Sequence, residues 1–304
     1  MQIKHFLLIA VASLFAMGCS KADDGGNGGT PPPPEETELA GDASFLFIGN
    51  SCTNGYRDPI LRYNNGEVTD IYGTTLSGIP GIFKRLAKDG GYPDIEVSIM
   101  SVNGRSLTEH YRDHQAKMKK KWDVVVVQDL LHRTLPDDKG GALEAMRTAV
   151  GNIKQCVKSQ NDEVRVVLYE TFAGPRDVPG MAPTLRGVQD IVKAGSKSIV
   201  QSFGLYGWAP VGEAFLETIS EGAAWDHVTT PMPAGQVDIY YTDNYHPSKY
   251  GSYLAACVFY AYLLGKDPRA LPTSNGSAAA DLGVAASAAA ALHKAAYNAV
   301  ANNK

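Results

Sequence analysis

Two short stretches hold residues that could make and break bonds together. In Gly49-Asn-Ser-Cys-Thr-Asn-Gly55 a hydroxyl, Ser51, follows an apolar run and a glycine. In Asp243-Asn-Tyr-His246 a carboxylate and an imidazole stand three positions apart, with Pro247 next and an apolar helix pattern over 250–264. On one turn of loop, that carboxylate can hydrogen-bond one imidazole nitrogen and leave the other facing outward as a general base. A serine served by such a base can attack a carbonyl carbon. Cys52, the next residue, is the competing nucleophile in type, as a thiol.

The elements that must position these groups follow from hydrophobic pattern. Residues 45–48 are four apolar residues in a row, as in a strand buried on both faces of a parallel sheet. Gly49 then permits a sharp turn into a helix start. Further strand-like runs occupy 95–102, 124–127, 164–169 and 208–211. Helical spacing occupies 79–87, 141–159, 184–203, 213–219 and 106–121, the last opening on the capping-box pattern Ser106-Leu-Thr-Glu109. Strands alternating with helices predict a three-layer α/β/α sandwich around a five-stranded parallel sheet. Its ligand crevice lies at the C-terminal strand ends, where Ser51, Gly104, Gln128 and the Asp243 loop converge.

Loops at the same ends supply candidate substrate contacts: Asn50, Tyr245, His132 beside Arg133 in the 130–136 loop, and Arg176 in the 170–183 loop. The 53–78 connection is long and polar, and loops of that length often carry function. Tyr56, Tyr63 and Tyr72 lie on it. His110 and His114 share the i, i+4 spacing of zinc ligands, yet the Glu of a metalloprotease and a third ligand are missing, so they read as surface histidines.

Four blocks in order resemble the SGNH or GDSL hydrolases. The Gly-Asp-Ser block with a Gly four residues after its Ser is matched by Gly49-Asn50-Ser51 and Gly55, and the Asp-x-x-His block by Asp243 and His246. Between them, Gly104 of Ser101-Val-Asn-Gly104 and Gln128 of Val124-Val-Val-Val-Gln-Asp129 match the Gly and the amide residue of the middle blocks. Asn50 stands where the family has Asp, and Gln128 where it usually has Asn. Gln at that block is also seen in carbohydrate acetylesterases of the superfamily and in a poorly characterised Gly-Asn-Ser branch. The resemblance spans roughly 44–268. It implies a flavodoxin-like fold, a Ser51–His246–Asp243 triad, an oxyanion hole of Ser51, Gly104 and Gln128, ester hydrolysis, and no cofactor or metal.

The rest of the chain frames that site. Lys4 and His5 precede an apolar run over 6–17, the length of a signal h-region and too short to span a bilayer. It ends in Ala16-Met-Gly-Cys19, which resembles a bacterial lipobox and makes Cys19 the lipidated residue. The expected organisation is a signal peptide at 1–18, a Gly/Pro-rich tether at 19–43, a hydrolase domain at 44–272 and an Ala-rich helical extension at 273–304. Cys52, Cys156 and Cys257 then remain, an odd set that argues against a disulfide framework. A net charge of −4 gives no basic field for nucleic acid. The expected protein is an outer-membrane lipoprotein, a monomer that meets the membrane only through its lipid. It acts on ester substrates, by preference O-acetyl groups of polysaccharides. A catalytically silent glycan-binding protein and a lipase or thioesterase are the rivals.

Overall fold

In β1 (Ser44–Gly49) all six residues are buried, and alternate side chains enter two separate apolar clusters. Phe45 and Phe47 pack edge-on or tilted against Phe83, and Phe47 against Phe259, with ring centroids 5.2–5.6 Å apart. Leu46 and Ile48 enter the opposite cluster with Met146, Val150 and Ile153. A strand loaded on both faces must be central, and β1 is.

The computed structural model describes residues 38–136 and 140–303. The expected signal peptide, Cys19 and most of the tether lie outside the described residues. The strands after β1 are β2 (Val68–Asp70), β3 (Glu96–Ser101), β4 (Val124–Val127), β5 (Arg165–Tyr169) and β6 (Gly207–Ala209). All neighbours pair in parallel, in the order β2-β3-β1-β4-β5-β6. The sheet thus has six strands rather than five. The addition is β2, a three-residue edge strand inside the long polar connection, too short to show a period of two. Setting β2 aside, the order is that of a flavodoxin-like sheet, with its topological switch point at β1, between β3 and β4.

Among the described residues, ten α-helices connect and cover the strands: α1 (Ser51–Asn54), α2 (Gly78–Asp89), α3 (Leu107–Met118), α4 (Leu143–Lys158), α5 (Val178–Met181), α6 (Leu185–Phe203), α7 (Val211–Ser220), α8 (Lys249–Leu263), α9 (Ala278–Asp281) and α10 (Ala286–Asn302). The core of α2, α7, α8 and α10 lies with Phe45 and Phe47, and that of α3, α4 and the far end of α6 with Leu46 and Ile48. The result is the α/β/α sandwich that alternation implied.

The C-terminal helix departs from expectation. It is no extension beyond the domain: Ala289, Leu292, Ala295, Ala296 and Ala299 of α10 are buried in the same cluster as α8. Small alanine side chains let α10 lie close against α8, whose own surface is apolar nearly all round. At the other end the compact unit begins at Glu38, which pairs with Lys266.

Glu170, at the end of β5, is fully buried. Burial first, and the Glu213 carboxylate second, push its carboxyl up to about 8 from 4.5. The folded protein therefore keeps a proton that the unfolded chain releases near 4.5, so this group makes stability fall as pH rises between those values. The substitution Glu170→Gln removes the titration. Its melting temperature relative to the parent should be higher at pH 8 than at pH 5, by a few degrees in a thermal scan. An offset independent of pH would contradict this.

Candidate functional site

The turn from β1 into α1 is built from polar groups that are almost all spoken for. Gly49 has no room for a side chain: a Cβ there would lie 2.2 Å from Thr53 Oγ1 and 2.6 Å from Gln128 Oε1. Asn50 caps α1, its Oδ1 accepting from the Cys52 N–H at 3.1 Å. Its own N–H donates to Gln128 Oε1 at 3.0 Å. Gly55 ends α1 in the left-handed region, at φ 76°. The hydroxyl of Ser51 is left projecting from the start of a single helical turn, at the C-terminal edge of the central strand.

The candidate base arrives from the far end of the chain. His246 Nε2 accepts from the Ser51 hydroxyl at 2.9 Å, and His246 Nδ1 donates to Asp243 Oδ2 at 2.6 Å. The other Asp243 oxygen accepts from the N–H groups of Tyr245 and His246 at 3.1 and 3.0 Å. Burial alone would raise the Asp243 carboxyl, but the imidazole bond and these two N–H groups outweigh it and hold the group below the usual carboxylate value. Asn244 takes the left-handed conformation, φ 56°, that closes this loop, a conformation Asn tolerates. The loop is braced from below: Tyr240 donates its hydroxyl to the Ala173 carbonyl at 2.7 Å. A Cβ on Gly174 would stand 2.5 Å from the Asn244 carbonyl, so the 170s loop and the His loop touch backbone to backbone.

Three of the residues read from sequence take other places. Gln128 is fully buried beneath the turn rather than aimed at the reacting centre. A backbone N–H can only donate, so the Gln128 oxygen must face Asn50; it also accepts from Thr53 Oγ1 at 2.9 Å, and Nε2 donates to the Asp129 carbonyl at 2.5 Å. Its carboxamide is a buttress and not an oxyanion donor. Asn50, expected on the substrate, is likewise fully buried and serves as the helix cap. His110, expected on the surface, is fully buried. Its Nε2 donates to the Gly49 carbonyl at 2.9 Å, which leaves Nδ1 to accept from Tyr72 at 2.7 Å. Burial pushes its imidazole down to about 4, so it stays neutral under the nucleophile turn.

The backbone N–H groups of Ser51 and Gly104 donate to no acceptor among the described residues. Gly104 has φ 73° and open space around it. These two groups have the chemistry to hold a developing oxyanion. Next to Gly104, exposed Asn103 has its Oδ1 held by Asn54 Nδ2 at 2.7 Å, so its own NH₂ is turned to donate outward. Asn103 is the third donor candidate in place of Gln128. The spacing Ser51-x-x-Asn54 and the Asn before Gly104 were its only signals in the chain.

Around the imidazole, sequence reasoning missed a further feature. The ring of Tyr56 lies flat on His246, centroids 3.6 Å apart and planes within 4°. Tyr56 holds φ 66°, a costly conformation for a bulky residue, fastened by its N–H to Asn54 Oδ1 at 2.9 Å. Tyr245 meets the imidazole edge-on at 4.9 Å, and the Arg176 guanidinium lies 3.9 Å from the Tyr245 ring centroid. Tyr56, Tyr245 and Arg176 thus gather at the triad. Tyr63 and Tyr72 do not, bonding instead to Asp281 and His110. His132 is exposed on the turn after β4, with no hydrogen bond between its ring and the triad among the described residues. The Cys52 thiol is buried; burial first, then Asp177 and Asp243, push it up to about 12, which removes it as a nucleophile. Among the described residues, no group of three His, Cys, Asp or Glu is placed to hold a metal ion.

A scan against protein-family models finds no match, and no curated protein matches. Solved structures do. A DUF4886 family protein from Bacteroides uniformis aligns with a TM-score of 0.60 at 16% identity, over 86% of this chain and 96% of that one. A catalytic mutant of an acetylxylan esterase from Geobacillus stearothermophilus aligns at TM-score 0.48 and 18% identity, over 73% and 94% of the two chains. A lipase/acylhydrolase from Enterococcus faecalis aligns at 0.47 and 15%, over 73% and 96%. The likeness is one of fold, the parallel sheet flanked by helices that the SGNH resemblance implied.

The geometry makes Ser51 the one hydroxyl that an active-site-directed fluorophosphonate should label. Peptide mass mapping should find the adduct on Ser51, with none on Ser51→Ala. Tyr56→Phe should label at close to the parent rate and Tyr56→Ala roughly tenfold more slowly, because the flat stack fixes the imidazole. Equal labelling of Tyr56→Ala would show that the stack positions nothing.

Proposed function

We propose that the protein is a serine esterase that removes O-acyl groups, by preference acetyl, from a polysaccharide. The single observation that carries this reading is the continuous chain Asp243–His246–Ser51, with links of 2.6 and 2.9 Å. His246 takes the Ser51 proton as Oγ adds to the ester carbonyl, and Asp243 holds the imidazolium. The N–H groups of Ser51 and Gly104 receive the oxyanion, with Asn103 beside them. As the intermediate collapses and the acyl C–O bond to the sugar breaks, the imidazolium gives its proton to the departing sugar oxygen, which leaves as a hydroxyl. A water deprotonated by His246 releases the acid from the acyl-enzyme.

A lipase would need an apolar cradle for a long chain beside Ser51. The two rings on the imidazole, Tyr56 and Tyr245, and the Arg176 guanidinium against Tyr245 suit a small acyl group on a hydroxylated carrier better. The hydrogen-bonded chain also counts against a silent binding protein, since a carboxylate placed to orient an imidazole toward a serine hydroxyl has no use in binding alone. The N-terminal pattern ending at Cys19 supports an exported lipoprotein tethered to the outer membrane, which would place a polysaccharide within reach.

The mature chain should hydrolyse p-nitrophenyl acetate and acetylated oligosaccharides, and p-nitrophenyl decanoate far more slowly. Ser51→Ala and His246→Ala should lose about 10⁴-fold or more in kcat, and Asp243→Asn on the order of 10²–10⁴-fold. Hydrolysis that survives Ser51→Ala would overturn the mechanism. Preference for the long-chain ester would return the lipase reading.

A further inference from the structure

Beside the triad runs a groove of about 270 Å³ whose lining includes Arg57, Ile60, Tyr241, Thr242, Lys249 and Tyr250. Thr242 directly precedes the catalytic Asp243, so the groove opens onto the same loop that delivers the base. Its size and its mixture of aromatic rings with polar groups are those of a site for a sugar ring.

Charge at the groove is unevenly disposed. Two carboxylates border it, and both are occupied: Asp58 pairs with Arg62 at 2.7 Å, and Asp238 accepts from His227 Nε2 and from the Tyr240 N–H. Of its two cations, Lys249 spends a proton on the Gly283 carbonyl at 2.7 Å. Arg57 is different. Among the described residues it forms no ion pair at salt-bridge distance: its guanidinium interacts with the Tyr56 hydroxyl, lies 5.0 and 5.3 Å from the ring centroids of Tyr56 and Tyr241, and feels the Asp243 carboxylate only from farther off. Tyr56 is the ring stacked on the catalytic imidazole. Arg57 is therefore a positive fork propped on two rings, one step from the reacting centre, in a chain of net charge −4.

We propose that this groove is a subsite for an acidic pyranose, a uronic acid unit adjacent to the acylated one, with Arg57 receiving its carboxylate. The inference takes the saccharide substrate of the preceding section as its premise. A planar carboxylate matches the two parallel donors of a guanidinium, and Tyr241 and Tyr250 offer rings against which a sugar face can pack. Arg57 thereby becomes the residue that separates acidic from neutral polysaccharides.

The test measures binding without turnover. In the full chain carrying Ser51→Ala, calorimetry compares unesterified oligogalacturonates with xylo-oligosaccharides of equal length. The acidic series should bind more tightly, and its affinity should weaken as salt is raised. Adding Arg57→Ala should weaken the acidic series about tenfold or more and remove most of the salt dependence, and Arg57→Lys should recover part of it. Equal affinity for the two series, or acidic binding indifferent to Arg57→Ala, would overturn the proposal. Because no ester is cleaved, failure of catalysis in the parent chain leaves this outcome readable. Tight acidic binding without any esterase activity would sink the hydrolase reading and keep the subsite.

Discussion

Everything at this site depends on one hydrogen bond between side chains 195 positions apart, from Ser51 to His246. Such a bond needs both ends held to within a few tenths of an ångström, and neither end is held by its own element alone. α1 is a single turn, far too short to be stable by itself. The His246 loop belongs to no helix or strand; its backbone is tied by an isolated bridge between Tyr240 and Pro247 and by single bonds such as Tyr241 N–H to the His246 carbonyl and Asn244 N–H to the Tyr241 carbonyl, both at 2.8 Å. Rigidity comes from what lies underneath each.

Under the nucleophile, a layer of buried polar side chains does that work. Gln128 reaches from the end of β4 to the Asn50 N–H, His110 reaches from α3 to the Gly49 carbonyl, and Ser101 donates from β3 to the Asn50 carbonyl at 2.9 Å. The turn is thus tied to both neighbouring strands and to a helix. Each tie is buried, where an unmade hydrogen bond is expensive, so the turn has one low-energy shape. Under the base, the 170s loop serves the same purpose through Tyr240 and Gly174. The sheet contributes the frame. Its switch point separates β3 and β4 on either side of β1, opening the crevice in which the groups meet.

The chain's own pattern made much of this legible. Apolar runs at 45–48 and 124–127 could be little other than buried parallel strands, and they fall within β1 and β4. Asp243 and His246 sit three apart, a spacing that serves one purpose well, and the loop uses it so. What stayed hidden is what depends on long-range placement of polar groups. A Gln at a strand end looks the same whether it faces a crevice or supports a turn; only the Asn50 N–H, from another strand's end, decides it for Gln128. His110 was misread for the same reason, since burial of a helix face depends on a partner 61 residues away. The short edge strand β2 was missed because three residues carry no period. The Ala-rich tail has strong helix propensity and says little about where it packs; α10 proves to be core because α8 is too apolar to be left uncovered.

The central claim is that Ser51, activated by His246, becomes transiently acylated. Rapid quenching of the parent chain in acid during turnover of p-nitrophenyl acetate, followed by peptide mass spectrometry, tests it directly. The account predicts a peptide heavier by one acetyl group with the modification on Ser51, and no such peptide from Ser51→Ala or His246→Ala quenched at the same time. An acetyl group found on Cys52 or on no residue while p-nitrophenol is released would contradict it.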